Sequence, residues 1–193
     1  MNTILNNIYP DQYRRSDSPS NDLNVIVNWK RTSKYVRDFD FVTKTLYTYN
    51  WNAEELSSNH HITLDFIEYA AKNEFYLNYG QYGLSANPAA FPLISSFPDA
   101  KEWYWGDCGV SLNPALTKEF LESYKDRFLY GVSGLSSNRA VPIEFVYDNK
   151  DRDWDWTNYG VSRVLLITKD DVKKYDLPWN KEGLELNQFY LCS

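Results

Sequence analysis

Three aspartates at alternate positions, Asp151, Asp153 and Asp155, are the first residues whose type and spacing suggest chemistry. Carboxylates at the first, third and fifth positions begin an EF-hand calcium loop, which then needs glycine at the sixth position and glutamate at the twelfth. Those two positions hold Trp156 and Ser162 here. The sequence therefore predicts no metal site, and we interpret the aspartates as part of a solvated loop.

Cys108 with His60 or His61 is the second combination, because a thiol and an imidazole can act as nucleophile and base. No phosphate-binding loop, G-x-S-x-G or H-E-x-x-H motif accompanies them. Cys108 also occupies a position that varies between copies of the repeat described below. The sequence thus favours a non-catalytic protein without a cofactor, with an enzyme whose site is built from non-repeat residues as an alternative.

Composition limits the expected partners. The 193 residues carry a formal net charge of −6, and their Lys and Arg side chains form no long basic run, which argues against nucleic acid and anionic membranes. No apolar stretch is long enough to span a bilayer, and the first residues lack the apolar core of a secretory signal. We expect a soluble, acidic, aromatic-rich protein of the cytoplasm, with Cys108 and Cys192 as free thiols.

An internal repeat organises most of the chain. Each of five copies has an anchor aromatic residue, and successive anchors lie 28, 26, 25 and 26 residues apart. A Leu or Val follows each anchor by five residues and a serine by six, and four copies add an asparagine two residues after the serine. The anchors are Trp51, Tyr79, Trp105, Tyr130 and Trp156. The serines are Ser57, Ser85, Ser111, Ser136 and Ser162, and the asparagines are Asn59, Asn87, Asn113 and Asn138.

Each copy is predicted to contain two short secondary-structure elements. The second half has apolar residues at helical spacing after a threonine that can cap a helix, as at Thr63, Thr117 and Thr168. In the first half, Ser-x-Asn is suited to a corner, because both side chains bond to nearby backbone. Seven of the eight glycines fall at two positions of this frame, and we expect them to allow neighbouring copies to approach closely.

The period predicts a mainly α fold, a short helical solenoid of about five two-helix repeats of 25–28 residues. Residues 1–24 are predicted to be a flexible lead-in, residues 25–175 the repeat domain and residues 176–193 a C-terminal cap, in a single domain overall. The alternative is an α+β fold with strands in the C-terminal half, where "RAVPIEFVYD" and "GVSRVLLIT" are rich in β-branched residues.

The stretches "YNWNAEELSSNHHITLDFI" and "WYWGDCGVSLNPALTKEFL" resemble the units of tandem short-repeat proteins of large DNA viruses and microbes. Those units follow the pattern W-x-W, then L-S-x-N-(P), then I-T-x-[DE]-F-[IL]. The resemblance covers roughly residues 49–175 by a loose motif. It implies a binding or scaffold role.

The pattern predicts a non-catalytic protein–protein interaction module built of tandem repeats. The alternative within the binding class is a small inhibitor or immunity-type protein that blocks one enzyme. Because the repeated residues serve the core and the corners, recognition should use positions that vary between copies. The predicted binding residues are Tyr82, Asp107, Tyr159 and Glu54, facing a protein partner, with the oligomeric state left open.

Overall fold

The computed structural model describes residues 27–193. The predicted lead-in, residues 1–24, lies outside this range. By its internal contacts the chain divides into two compact units, Met1–Asn78 and Tyr79–Ser193. No helix within residues 27–193 is long and apolar enough to cross a membrane.

The described part of the first unit contains four helices, each started by a polar side chain. They are α1 (Trp29–Tyr35), α2 (Phe39–Thr45), α3 (Ala53–Ser57) and α4 (Leu64–Lys72). Asn28, Asp38, Asn52 and Thr63 each accept a hydrogen bond from the backbone N–H three residues later. These caps satisfy backbone donors that the first helical turn leaves without an internal partner.

The second unit combines single 3₁₀ turns, all before residue 140, with short α-helices. The helices are α5 (Phe91–Ser96), α6 (Lys118–Ser123), α7 (Ile143–Asp148), α8 (Val161–Val164), α9 (Lys169–Lys174), α10 (Lys181–Leu186) and α11 (Gln188–Cys192). The 3₁₀ turns are Leu84–Ala86, Pro88–Ala90, Val110–Leu112 and Leu135–Ser137. The first element of these copies is therefore mostly one 3₁₀ turn.

The mainly α prediction is confirmed, and the α+β alternative is wrong for the part of the chain that the structure describes, which contains no strand. The two stretches rich in β-branched residues contain α7 and α8 instead. Phe145 and Val146 of α7 are completely buried. Burial of the apolar face of a helix stabilises this segment more than the intrinsic preference of β-branched residues for strands would stabilise a strand.

The predicted caps are confirmed. Thr63 and Thr117 accept hydrogen bonds from the N–H groups of Phe66 and Phe120. Thr168 forms a complete capping box, because the N–H of Asp171 donates to the threonine hydroxyl while the Asp171 carboxylate accepts the N–H of Thr168.

The anchor aromatics occupy similar surroundings in successive copies of the second unit. Tyr130 is buried, whereas Tyr79, Trp105 and Trp156 are half-buried. An anchor ring contacts the aromatic residue two positions before the next anchor in three cases. Ring centroids are 5.2 Å apart for Tyr79 and Trp103, 5.3 Å for Trp105 and Phe128, and 4.9 Å for Tyr130 and Trp154. These contacts continue the core from one copy to the next.

The glycines have a different role from the predicted one. A Cβ added to Gly134 would lie 2.0 Å from the carbonyl oxygen of Leu129, within its own copy, whereas a Cβ on Gly131 would meet nothing within 4 Å. Gly109 and Gly160 make the same close approach to the carbonyl just before their own anchor, also at 2.0 Å. The glycine four residues after the anchor thus closes the loop around the anchor.

Candidate functional site

The repeated serine joins successive copies within each unit. Its hydroxyl oxygen accepts a hydrogen bond from a backbone N–H that lies 18 to 21 residues farther along, at 2.8–2.9 Å. The pairs are Ser33 with Asn52, Ser57 with Asn78, Ser85 with Tyr104, Ser111 with Leu129, Ser136 with Asp155, and Ser162 with Asn180. All six serines are buried, and the bonds that they accept are partly buried.

The repeated asparagine spans two copies through three hydrogen bonds. The side-chain amide of Asn138 donates to the carbonyl oxygens of Ser111 and Asn113, at 3.0 and 2.9 Å, and its Oδ1 accepts the N–H of Ala140 at 2.9 Å. Asn113 makes the equivalent three bonds one copy earlier. The predicted local corner bond is confirmed, and the two bonds to the preceding copy were missed.

The same pattern extends beyond the five copies found in the sequence. Asn59 donates to the carbonyls of Ser33 and Val36, and Asn187 donates to those of Ser162 and Leu165. The second case lies in the predicted cap, where Trp179 follows Trp156 by 23 residues. That spacing was available in the sequence as a signal for a further copy.

Tyr82 and Asp107, two of the predicted binding residues, lie close together in the second unit. Both are exposed, Tyr82 at 63% of its surface. A side-chain hydrogen bond to Cys108 is the main cause that raises the pKa of Tyr82, and the charge of Asp107 contributes in the same direction. The structure therefore combines a phenol, a buried thiol and an exposed carboxylate in one place.

The position three residues after the anchor, which varies between copies, is also linked from copy to copy through the backbone. The N–H of Tyr82 donates to the carbonyl oxygen of Cys108 at 3.0 Å, and the N–H of Cys108 donates to that of Ser133 at 2.9 Å. Tyr82 and Cys108 have positive φ angles of 55° and 53°, a left-handed conformation that costs residues with a Cβ roughly 1–2 kcal/mol. These bonds hold the loop that presents Tyr82.

Tyr159 and Glu54, the other two predicted binding residues, have different neighbours. Tyr159 is 62% exposed, and the guanidinium carbon of Arg163 lies 5.9 Å from the centre of its ring. Glu54 is an exposed residue in the first turn of α3, in the first unit. An acid in that turn interacts favourably with the positive end of the helix, so Glu54 also has a structural role.

The residues first considered for catalysis and metal binding have the following surroundings. Cys108 is 7% exposed in the second unit, and the His60 and His61 rings lie 4.2 Å apart in the first. Desolvation, followed by the charges of His60 and Arg37, lowers the pKa of His61. Asp155 accepts the N–H of Thr157, and no three His, Cys, Asp or Glu side chains within residues 27–193 form a group that could hold a metal ion.

The chain was compared with protein-family models, with curated proteins and with solved structures, and none of these comparisons found a match. The likeness to tandem short-repeat proteins stays a prediction.

Proposed function

We propose that this chain is a non-catalytic protein-interaction module built of tandem repeats, a short helical solenoid in which copies stack within each compact unit. The recurring hydrogen bonds of serine and asparagine support this architecture, because the same side-chain atoms bond to equivalent backbone atoms in successive copies. Such nearest-neighbour contacts are typical of repeat arrays. We also propose a cytoplasmic location, which the unpaired Cys108 and Cys192 support.

The observation that carries the proposal is that Tyr82 is exposed although its backbone is held in the left-handed conformation. A tyrosine in the left-handed region is unusual, and strained residues that their surroundings hold in place occur often at functional sites. Tyr82 is nevertheless 63% exposed, so burial of its ring does not explain the conformation. A rigidly held, exposed tyrosine provides a large contact area and a hydroxyl for recognition.

The proposed binding face comprises Tyr82, Asp107 and Tyr159 of the second unit, and Glu54 gives the first unit an exposed acid of its own. The carboxylates of Asp107 and Glu54 disfavour a polyanionic ligand, since each would repel a phosphate backbone. A protein surface with complementary positive charge suits this composition.

The test is capture of partners from a lysate of the source organism, with wild-type protein and a Tyr82→Ala, Asp107→Lys double variant as baits. A matched control, Tyr76→Ala with Glu122→Lys, truncates one tyrosine and reverses one acidic charge at exposed positions outside the proposed binding face. We expect the first variant to keep its circular dichroism spectrum and lose the proteins captured by wild type, while the control retains them. Equal capture by all three baits would reject this face as the binding site.

A further inference from the structure

A second surface of the second unit has the features of a binding pocket. It has a volume of about 610 Å³ and lies between residues of three successive copies. Arg139 and Arg163 supply its charged lining, and Leu166, Leu186 and Phe189 supply its large apolar side chains. This is large enough to accept part of a peptide.

The two arginines differ from two others in the same unit. Arg127 forms an ion pair with Asp99, and Arg152 forms one with Asp126. Within the part of the chain that the structure describes, Arg139 and Arg163 form no ion pair, and the pocket lining contains no carboxylate side chain. An acidic protein thus keeps two guanidinium groups at one pocket without a carboxylate partner.

The apolar side chains at the pocket are unusually exposed. Leu166, Leu186 and Phe189 are 55%, 50% and 47% exposed. Scattered apolar side chains are common on protein surfaces, but several that line one concavity indicate a contact site. The same pocket is lined by Val164, which takes the place of the repeated asparagine in the fifth copy. The pocket therefore lies where the fifth copy lacks the repeated asparagine.

We propose that this pocket binds an acidic, hydrophobic peptide segment of a protein partner. Carboxylates of the peptide pair with Arg139 and Arg163, whose planar guanidinium groups can each donate two parallel hydrogen bonds to a carboxylate. A leucine or aromatic side chain of the peptide packs against Leu166, Leu186 and Phe189. Charge complementarity selects this occupant, because the pocket is positive and apolar within a chain of net charge −6. The site goes beyond the proposed face of Tyr82 and Asp107, since it uses other positions of the repeat.

The experiment is selection of a random peptide display library on the wild-type protein, followed by affinity measurements on an enriched peptide by fluorescence polarisation. The test variant is Arg139→Gln with Arg163→Gln. The matched control is Lys118→Gln with Lys125→Gln, which removes the same charge from exposed positions of the same unit. We expect enriched peptides to combine Asp or Glu with Leu or Phe, and the arginine variant to bind them at least about tenfold more weakly than the control.

Two further measurements sharpen the test. Exchanging the acids of the peptide for Asn and Gln should weaken binding as much as the arginine variant does, and Phe189→Ser should weaken binding while the circular dichroism spectrum stays unchanged. The proposal is overturned if no peptide is enriched, if enriched peptides contain no excess of acids, or if the arginine and lysine variants bind equally well.

Discussion

The fourth copy has the repeated asparagine and the fifth copy does not, and a comparison of the two shows what this residue contributes. In the fourth copy, Asn138 bonds to Ser111, Asn113 and Ala140. In the fifth copy Val164 stands at that position, and its side chain has no polar atom that could bond to the preceding copy. The serine contact is common to both junctions, since Ser111 accepts the N–H of Leu129 and Ser136 accepts that of Asp155. The serine bond is thus common to the stacking of both copies, whereas the asparagine bonds strengthen the stacking only where asparagine is present.

The largest effect is expected for Asn138→Ala. The change removes the donor to two buried carbonyl oxygens and the acceptor of one N–H. The carbonyl of Asn113 keeps the N–H of Leu116, but the loss of three bonds should still lower the free energy of unfolding by about 3 kcal/mol. Val164→Ala is the matched change in the fifth copy and should cost about 1 kcal/mol, because it removes only two methyl groups from a half-buried side chain. Urea unfolding measures both, and equal losses would contradict the proposed difference between the junctions.

Gly134→Ala should follow with a loss of about 2 kcal/mol, because the new methyl group meets the carbonyl oxygen of Leu129 and the backbone must move. Gly131→Ala, in the same copy, is the control. It meets nothing within 4 Å and should change the stability by less than about 1 kcal/mol. If the two variants unfold at the same urea concentration, closure of the anchor loop by Gly134 is not important for stability.

Ser136→Ala tests the contact that the fourth and fifth copies share. It removes the acceptor for the N–H of Asp155 and should cost about 1–2 kcal/mol, since that donor remains in a part-buried site. The neighbouring Ser137→Ala removes a hydroxyl that donates to the carbonyl of Val132 near the surface, and should cost less than about 0.5 kcal/mol. If both variants lose the same unfolding free energy in thermal or urea unfolding, the bond of Ser136 to the next copy contributes no more to stability than a surface hydroxyl does.

The smallest change is expected for Val164→Asn, which restores the repeated residue. If its amide reaches the carbonyls of Ser136 and Asn138 as Asn138 reaches those of Ser111 and Asn113, the unfolding free energy should rise by about 0.5–1 kcal/mol. A crystal structure of the variant would identify the bonds. A loss of stability would mean that the fifth junction has a geometry of its own.

Much of the local structure could be predicted from the sequence. The positions of Thr63, Thr117 and Thr168 predicted three helix starts, because a cap depends on a side chain and on backbone three residues away. The anchor spacing predicted which rings would have similar neighbours. The Asp151, Asp153 and Asp155 series was interpreted as a solvated loop, because the glycine and glutamate that a calcium loop needs are missing from the sequence.

Some features required the fold. The candidate residues Tyr82 and Asp107 could be chosen because they vary between copies, but the proximity of Tyr82 to Cys108 depends on the packing of a loop in the left-handed conformation. The pocket of Arg139, Arg163 and Phe189 had no signal of its own, because its residues come from three copies that are distant along the chain.

The sequence by itself determined the period, the mainly helical class and the residues that recur, because these depend on the order of side chains and on contacts within a few positions. Only the tertiary structure decided what the recurring serine and asparagine bind. Their partners lie 18 or more residues away, and a hydrogen bond requires atoms at about 3 Å, a distance that only the packing of one copy on the next can set.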